Sequence, residues 1–79
     1  MLKVKRYIKE YANAINQDFA PCEVHVKTYI QRKIAKIIWA VSDGFLQDFD
    51  AMRELARITA EGYEEAMENA DFTEEIPLF

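Results

Sequence analysis

Cysteine, histidine and serine occur once each in this chain, as Cys22, His25 and Ser42, and that scarcity removes most catalytic chemistry at the outset. Nucleophilic catalysis needs a nucleophile, a base beside it and a third group to orient the base. A lone cysteine cannot close a disulfide within the chain. Cys22 and His25 are three positions apart and would share a face if both lay on a helix, but two ligands fall short of the four a structural zinc site uses. With two glycines in all, there is no glycine-rich loop to cradle a phosphate. No apolar run approaches the ~18 residues of a membrane span; the longest, Ile37-Ile38-Trp39-Ala40-Val41, reads as one buried stretch of helix. No charged-then-apolar leader opens the sequence. The expectation is a protein that is not an enzyme, holds no metal or cofactor, does not enter a membrane and works in a reducing cytoplasm.

The same shortage of breakers makes the chain helical. From about Lys3 to Asp18, Val4, Ile8, Tyr11, Ile15 and Phe19 recur every three or four positions, the period of an amphipathic helix, with Tyr7 and Ala12 widening the stripe. Pro21 forbids continuation and pushes the preceding residue away from helical angles. A second helix, about 24–43, carries Ile30, Ile34, Ile37, Ile38 and Val41 on one face with Trp39 at its flank. Gly44 follows where helices commonly close on a left-handed residue. The start of this helix is open: Val24-His25-Val26 alternates like a strand, and a loop or an extra helical turn fits better, since an isolated strand has nothing to pair with. A third helix, about 48–69, begins where Asp48 and Asp50 favour free amides and the helix dipole. Phe49, Met52, Leu55, Ala56, Ile58, Tyr63, Ala66 and Met67 carry its apolar pattern. Gly62 weakens its middle by about 1 kcal/mol relative to alanine, which suits a bend or a close helix contact.

Seventy-nine residues, 51% of them hydrophobic and 13% aromatic, leave room for one modest core and an apolar surplus. The expected fold is all-α: a compact three-helix domain over residues 1–70 and an acidic, apolar tail over 71–79. Its expected core is Ile8, Tyr11, Ile15, Ile34, Ile37, Ile38, Val41, Phe49, Met52 and Leu55. The surplus points to a partner or to self-association.

Charge divides along the chain. Residues 1–41 hold eight cations against three acids, a net of +5; residues 42–79 hold Arg53 and Arg57 against eleven acids, a net of −9. Lys3, Lys5, Arg6 and Lys9 crowd the start of the first helix, and Lys27, Arg32 and Lys33 the start of the second, with Lys36 a turn further on as a candidate anion contact. Cations at a helix start oppose its dipole. Acids of the third helix can offset them within the bundle; the alternatives are an anionic partner, nucleic acid included, or head-to-tail contact between copies. Net acidity argues against nucleic acid, as does the lack of interleaved aromatic and basic residues. Glu61, Glu64, Glu65 and Glu68 form an acidic face that is either a solvated surface or a dock for a basic partner. They are not a calcium loop, since their spacing is helical and lacks the looped ligand series around a central glycine.

Three resemblances attach to particular segments. Lys5-Arg6-Tyr7-Ile8-Lys9-Glu10-Tyr11-Ala12-Asn13 and Gly44-Phe45-Leu46-Gln47-Asp48-Phe49-Asp50-Ala51-Met52-Arg53 together resemble small helical proteins of phages and mobile elements of Gram-positive bacteria. That resemblance implies a modulator or inhibitor of a host macromolecule, such as an anti-defence protein. Ile37–Leu55 is similar to a SHOCT-type helical hairpin, which implies oligomerisation or adaptor work. At the tail, Glu75-Ile76-Pro77-Leu78-Phe79 resembles the short motif that binds the bacterial sliding clamp, with glutamate standing where glutamine is usual. In that reading Ile76, Leu78 and Phe79 would fill apolar pockets and Pro77 would hold the segment extended; docking of the tail on its own core or on a second copy is the alternative. The reading as a whole is a protein-binding module, with a nucleic-acid accessory protein and a homo-oligomeric structural module as its rivals.

Overall fold

The apolar repeat becomes three helices in the computed structural model, which describes residues 3–69: α1 (Arg6–Asp18), α2 (Val24–Ser42) and α3 (Asp48–Asn69). Helix α1 begins three residues later than its pattern suggests. Lys5 is extended (φ −64°, ψ 146°), and its carbonyl accepts the amides of Ile8 and Lys9 at 3.2 and 3.3 Å. Val4 is nevertheless buried, so its side chain belongs to the apolar stripe while its backbone does not belong to the helix. After Asp18 the Phe19 amide still reaches the Ile15 carbonyl (3.2 Å), and the chain turns through Pro21 with the Cys22 amide on the Phe19 carbonyl (3.0 Å).

The ambiguous segment 24–26 is the first turn of α2. Glu23 is extended at its start and its carbonyl takes the Lys27 amide at 3.0 Å. Alternation here reflects the two sides of a helix: Val26 is fully buried, whereas Val24 lies in solvent. The far end closes with a Schellman arrangement. The Phe45 amide donates to the Ala40 carbonyl (2.8 Å) and the Gly44 amide to Val41 (3.1 Å), with Gly44 at φ 84°, where a side chain would be strained.

Early α2 meets late α3 and the reverse, so the two run antiparallel, and α1 packs against both. Among the described residues the core is Val4, Ile8, Ala12, Ile15, Val26, Ile30, Ile34, Val41, Ala51, Leu55, Ile58 and Ala66, with Tyr11, Phe19, Ile37, Ile38, Leu46 and Met52 partly buried around it. One expected core residue is displaced. Phe49 is 72% exposed. It lies six positions before Leu55, and at ~100° per residue that puts the two on widely separated faces of α3. Gly62 is the close contact: a Cβ built there would stand 2.8 Å from Cδ1 of Ile30 and 3.1 Å from Cγ2 of Ile58.

Candidate functional site: a groove between α1 and α2

Between α2 and α3, two polar side chains converge on one carboxylate oxygen. Oε1 of Glu65 accepts the Tyr29 hydroxyl at 3.0 Å and the Lys33 ammonium, which also sits 5.7 Å from the centre of the Tyr29 ring. The hydrogen bond from Lys33 holds the Glu65 carboxyl below the usual carboxylate range, and the same bond pushes Lys33 up. Tyr29 is raised first by burial and then by its bond to Glu65. These directions fix how the cluster responds to pH. Glu65, lower in the folded state, contributes stability above its unfolded pKa that is lost as pH falls through the folded value. Tyr29 and Lys33, both higher when folded, contribute stability below their unfolded values that is lost as pH rises through the folded ones. Lys33 and Glu65 keep 43% and 29% of their side-chain surface in water, so screening holds the pair to about 1 kcal/mol. Glu65→Gln should flatten the loss of stability between about pH 5 and pH 3; urea midpoints of the two proteins across that range check it.

The cluster absorbs one member of each charged set. Lys33 from the basic group and Glu65 from the acidic face neutralise one another and are therefore a structural pair. Among the remaining charges, Arg6 pairs with Glu10 one turn on (3.1 Å), and Arg57 with Glu61 (3.7 Å). Lys3, Lys5, Lys9, Arg32, Lys36, Glu64 and Glu68 are exposed. A small cleft of about 130 Å³ beside the cluster is lined by Lys33, Lys36 and Arg57 against Glu54 and Glu65, a nearly balanced set. Cys22 lies in the turn before α2, so it does not share a helix face with His25, whose Nε2 is 3.3 Å from Glu23 Oε1. Among the described residues no group of three or more histidine, cysteine, aspartate or glutamate side chains could hold a metal ion. Ile76, Pro77, Leu78 and Phe79 lie outside the described residues.

A larger concave feature lies elsewhere. Helices α1 and α2 part to leave a groove of about 660 Å³ on the open side of the pair. Along α2 its wall is Gln31, Ile34, Ala35, Ile38, Trp39 and Ser42, recurring at steps of three, one, three, one and three. Opposite stand Val4, just before α1, and Lys9, Ala12, Asn13 and Asn16 of α1. Trp39 stands at its edge, 65% exposed. The Oδ1 atom of Asn16 is buried and accepts no hydrogen bond from the described residues. Lys9 is the charged residue in the wall, and Lys5 and Arg6 lie exposed at the start of α1. The groove is thus apolar along its length and cationic at one side.

In the sequence Trp39 reads as a flank of the second helix, and no pattern sets Gln31, Ala35 or Asn16 apart. One signal was present. Helix α2 carries apolar residues on more than one face, Ile34 and Val41 toward the core and Trp39 away from it.

These features define a small up-down-up helical bundle with a helix-sized groove on one side. Comparison with protein-family models, with curated proteins and with solved structures finds no match. Among the described residues no helix is long and apolar enough to cross a membrane.

Proposed function

We propose that this chain is a non-catalytic binding module whose α1/α2 groove receives an amphipathic helix of a protein partner. The observation that carries the reading is the groove itself. Its α2 wall has helical spacing, its lining includes the small side chains Ala12 and Ala35, and a large aromatic residue stands exposed at its edge. Helix-in-groove recognition uses anchors at i, i+3, i+4 and i+7 pressed into such a surface. Lys9, with Lys5 nearby, favours an occupant with acidic residues along its rim. In this reading the chain modulates a host macromolecule by occupying it, the role that the resemblance to phage and mobile-element proteins implies.

Trp39 is the sole tryptophan, which makes the site observable. Docking should shift its emission to shorter wavelength. Trp39→Ala should weaken binding by about 2 kcal/mol or more, as for an aromatic anchor in a desolvated interface. Affinity capture from the native host with the intact chain and with Ala35→Glu gives the broader test. Ala35 is exposed, so the substitution should leave the helical spectrum and melting temperature unchanged while the captured partner disappears. Equal recovery of the same partner by both proteins would remove the groove from the account.

A nucleic-acid reading draws on the exposed Lys3, Lys5, Arg6 and Lys9 at one end of the bundle. It requires affinity that falls steeply with salt and depends on those four residues. Absence of binding to DNA or RNA at low salt would dispose of it.

A further inference from the structure

Helix α3 has a second ordered face that the core does not use. Phe49, Ala56 and Tyr63 recur at seven-residue intervals, and Arg53, Ala60 and Met67 do the same beside them. All six are exposed, although five of the six are apolar or aromatic and two of those are large rings. A residue seven positions on returns to within ~20° of the same direction, so the six form one seam. The core-facing residues Ala51, Leu55, Ile58, Gly62 and Ala66 lie on the other side of the helix. Sequence periodicity alone merges the two sets; burial separates them.

We infer that this seam is where a second copy of the chain binds, α3 against α3, antiparallel, about a two-fold axis near position 58. The seam is self-complementary in that arrangement and no other. Position 49 falls opposite 67, position 53 opposite 63 and position 56 opposite 60, each pair centred on 58. Phe49 meets Met67 of the second copy, a sulfur–aromatic contact. Ala56 meets Ala60, and two small residues at the crossing point let the helices approach closely. Arg53, whose guanidinium already lies 6.0 Å from the Phe49 ring, meets Tyr63 of the second copy. Glu64 lies on the Arg53 flank of the seam, within ~20° of its direction, and the two-fold brings its carboxylate to nearly the level of that arginine. The two-fold axis makes every one of these contacts twice. A parallel pairing would set Arg53 against Arg53 and Glu64 against Glu64, which charge forbids. One helix face is small beside the ~800 Å² per partner of a standard interface, so the dimer is reversible and concentration-dependent. It uses a different face from the α1/α2 groove and goes beyond the function proposed for that groove.

Sedimentation equilibrium of the full chain over a wide concentration range tests this directly. The unaltered protein should pass from monomer to dimer. Ala60→Glu, at an exposed position, should leave the helical spectrum and melting temperature of the monomer unchanged and weaken dimerisation at least about a hundredfold, because it would bury an unpaired charge. Arg53→Glu and Glu64→Arg should each weaken it about tenfold or more. An equimolar mixture of those two variants should associate again, since each supplies the charge the other now needs. Ala35→Glu in the groove should not alter self-association. A protein that stays monomeric throughout, a dimer that survives Ala60→Glu, or a mixture of charge variants that fails to associate would each overturn the inference. None of those results bears on whether the groove captures a partner.

Discussion

Leu55→Ala is expected to remove about 2–5 kcal/mol of stability, enough to leave the chain largely unfolded at physiological temperature. Leu55 is fully buried on α3 and belongs to the core that α1 and α2 cover. Its loss removes the transfer energy of the side chain and leaves a cavity that rigid neighbours fill only in part. Each kcal/mol moves the melting temperature of a domain this size by about 4–8 °C, so calorimetry or thermal circular dichroism reads the effect easily. Phe49→Ala on the same helix gives the contrast. The sequence pattern puts both residues in the core, but Phe49 is exposed, and its truncation should change the stability of the monomer by less than about 0.5 kcal/mol. Equal losses at the two positions would mean that α3 is rotated from the orientation described.

Gly62→Leu is expected to prevent the native packing altogether. Even the first added carbon would stand 2.8 Å from Cδ1 of Ile30, 3.1 Å from Cγ2 of Ile58 and 3.4 Å from Cζ of Phe19. Ile30 is itself fully buried and has nowhere to withdraw. Overpacking by a single methylene costs about 1–3 kcal/mol, and leucine adds several carbons at the point where all three helices meet. Gly62→Ala sets two effects against each other: alanine gains about 1 kcal/mol of helix propensity, and the contact with Ile30 takes that back or more. The clash is with one identifiable atom, so Ile30→Val, which deletes Cδ1, should make Gly62→Ala markedly less harmful than it is alone. A double-mutant cycle on urea midpoints measures that coupling. Strict additivity would show that Gly62 is not pressed against Ile30.

The elements were legible because each is written locally. Ile8 and Ile15, or Ile30 and Ile34, fix a helix and its inward face by spacing alone, and Pro21 and Gly44 mark the ends. Gly44 shows how far local signals reach: its position after the last apolar residue of α2 predicts the left-handed closure that the Ala40 and Val41 carbonyls complete. What was hidden depends on pairing between distant segments. Lys33 and Glu65 stand thirty-two positions apart, and nothing in either segment says that they meet. The groove requires knowing that α1 and α2 part on one side, which turns Asn16, Ala35 and Trp39 from scattered residues into a wall. Phe49 was misplaced for the same reason: α3 has two apolar faces, and spacing by itself does not say which one the bundle covers. Val26 was obscured by a competing local pattern, since three alternating residues fit a strand as well as the first turn of a helix.

The charge asymmetry divides in a similar way. Sequence alone left open whether the acids of the third helix offset the cations of the first two. They do so at Lys33, which Glu65 binds, whereas Arg6 is met within its own helix by Glu10. Lys5 and Lys9 remain exposed near the groove, and that is the charge on which the proposed preference for an acidic occupant rests.

A photo-activated cross-linking amino acid placed at position 35, inside the groove, and separately at position 61, on the acidic face of α3, would test the account most directly. After irradiation in the native host, position 35 should yield an adduct with another protein, and mass spectrometry should locate the link in an acidic amphipathic helix. An adduct formed from position 61 but not from position 35 would contradict the account and move the binding surface to α3.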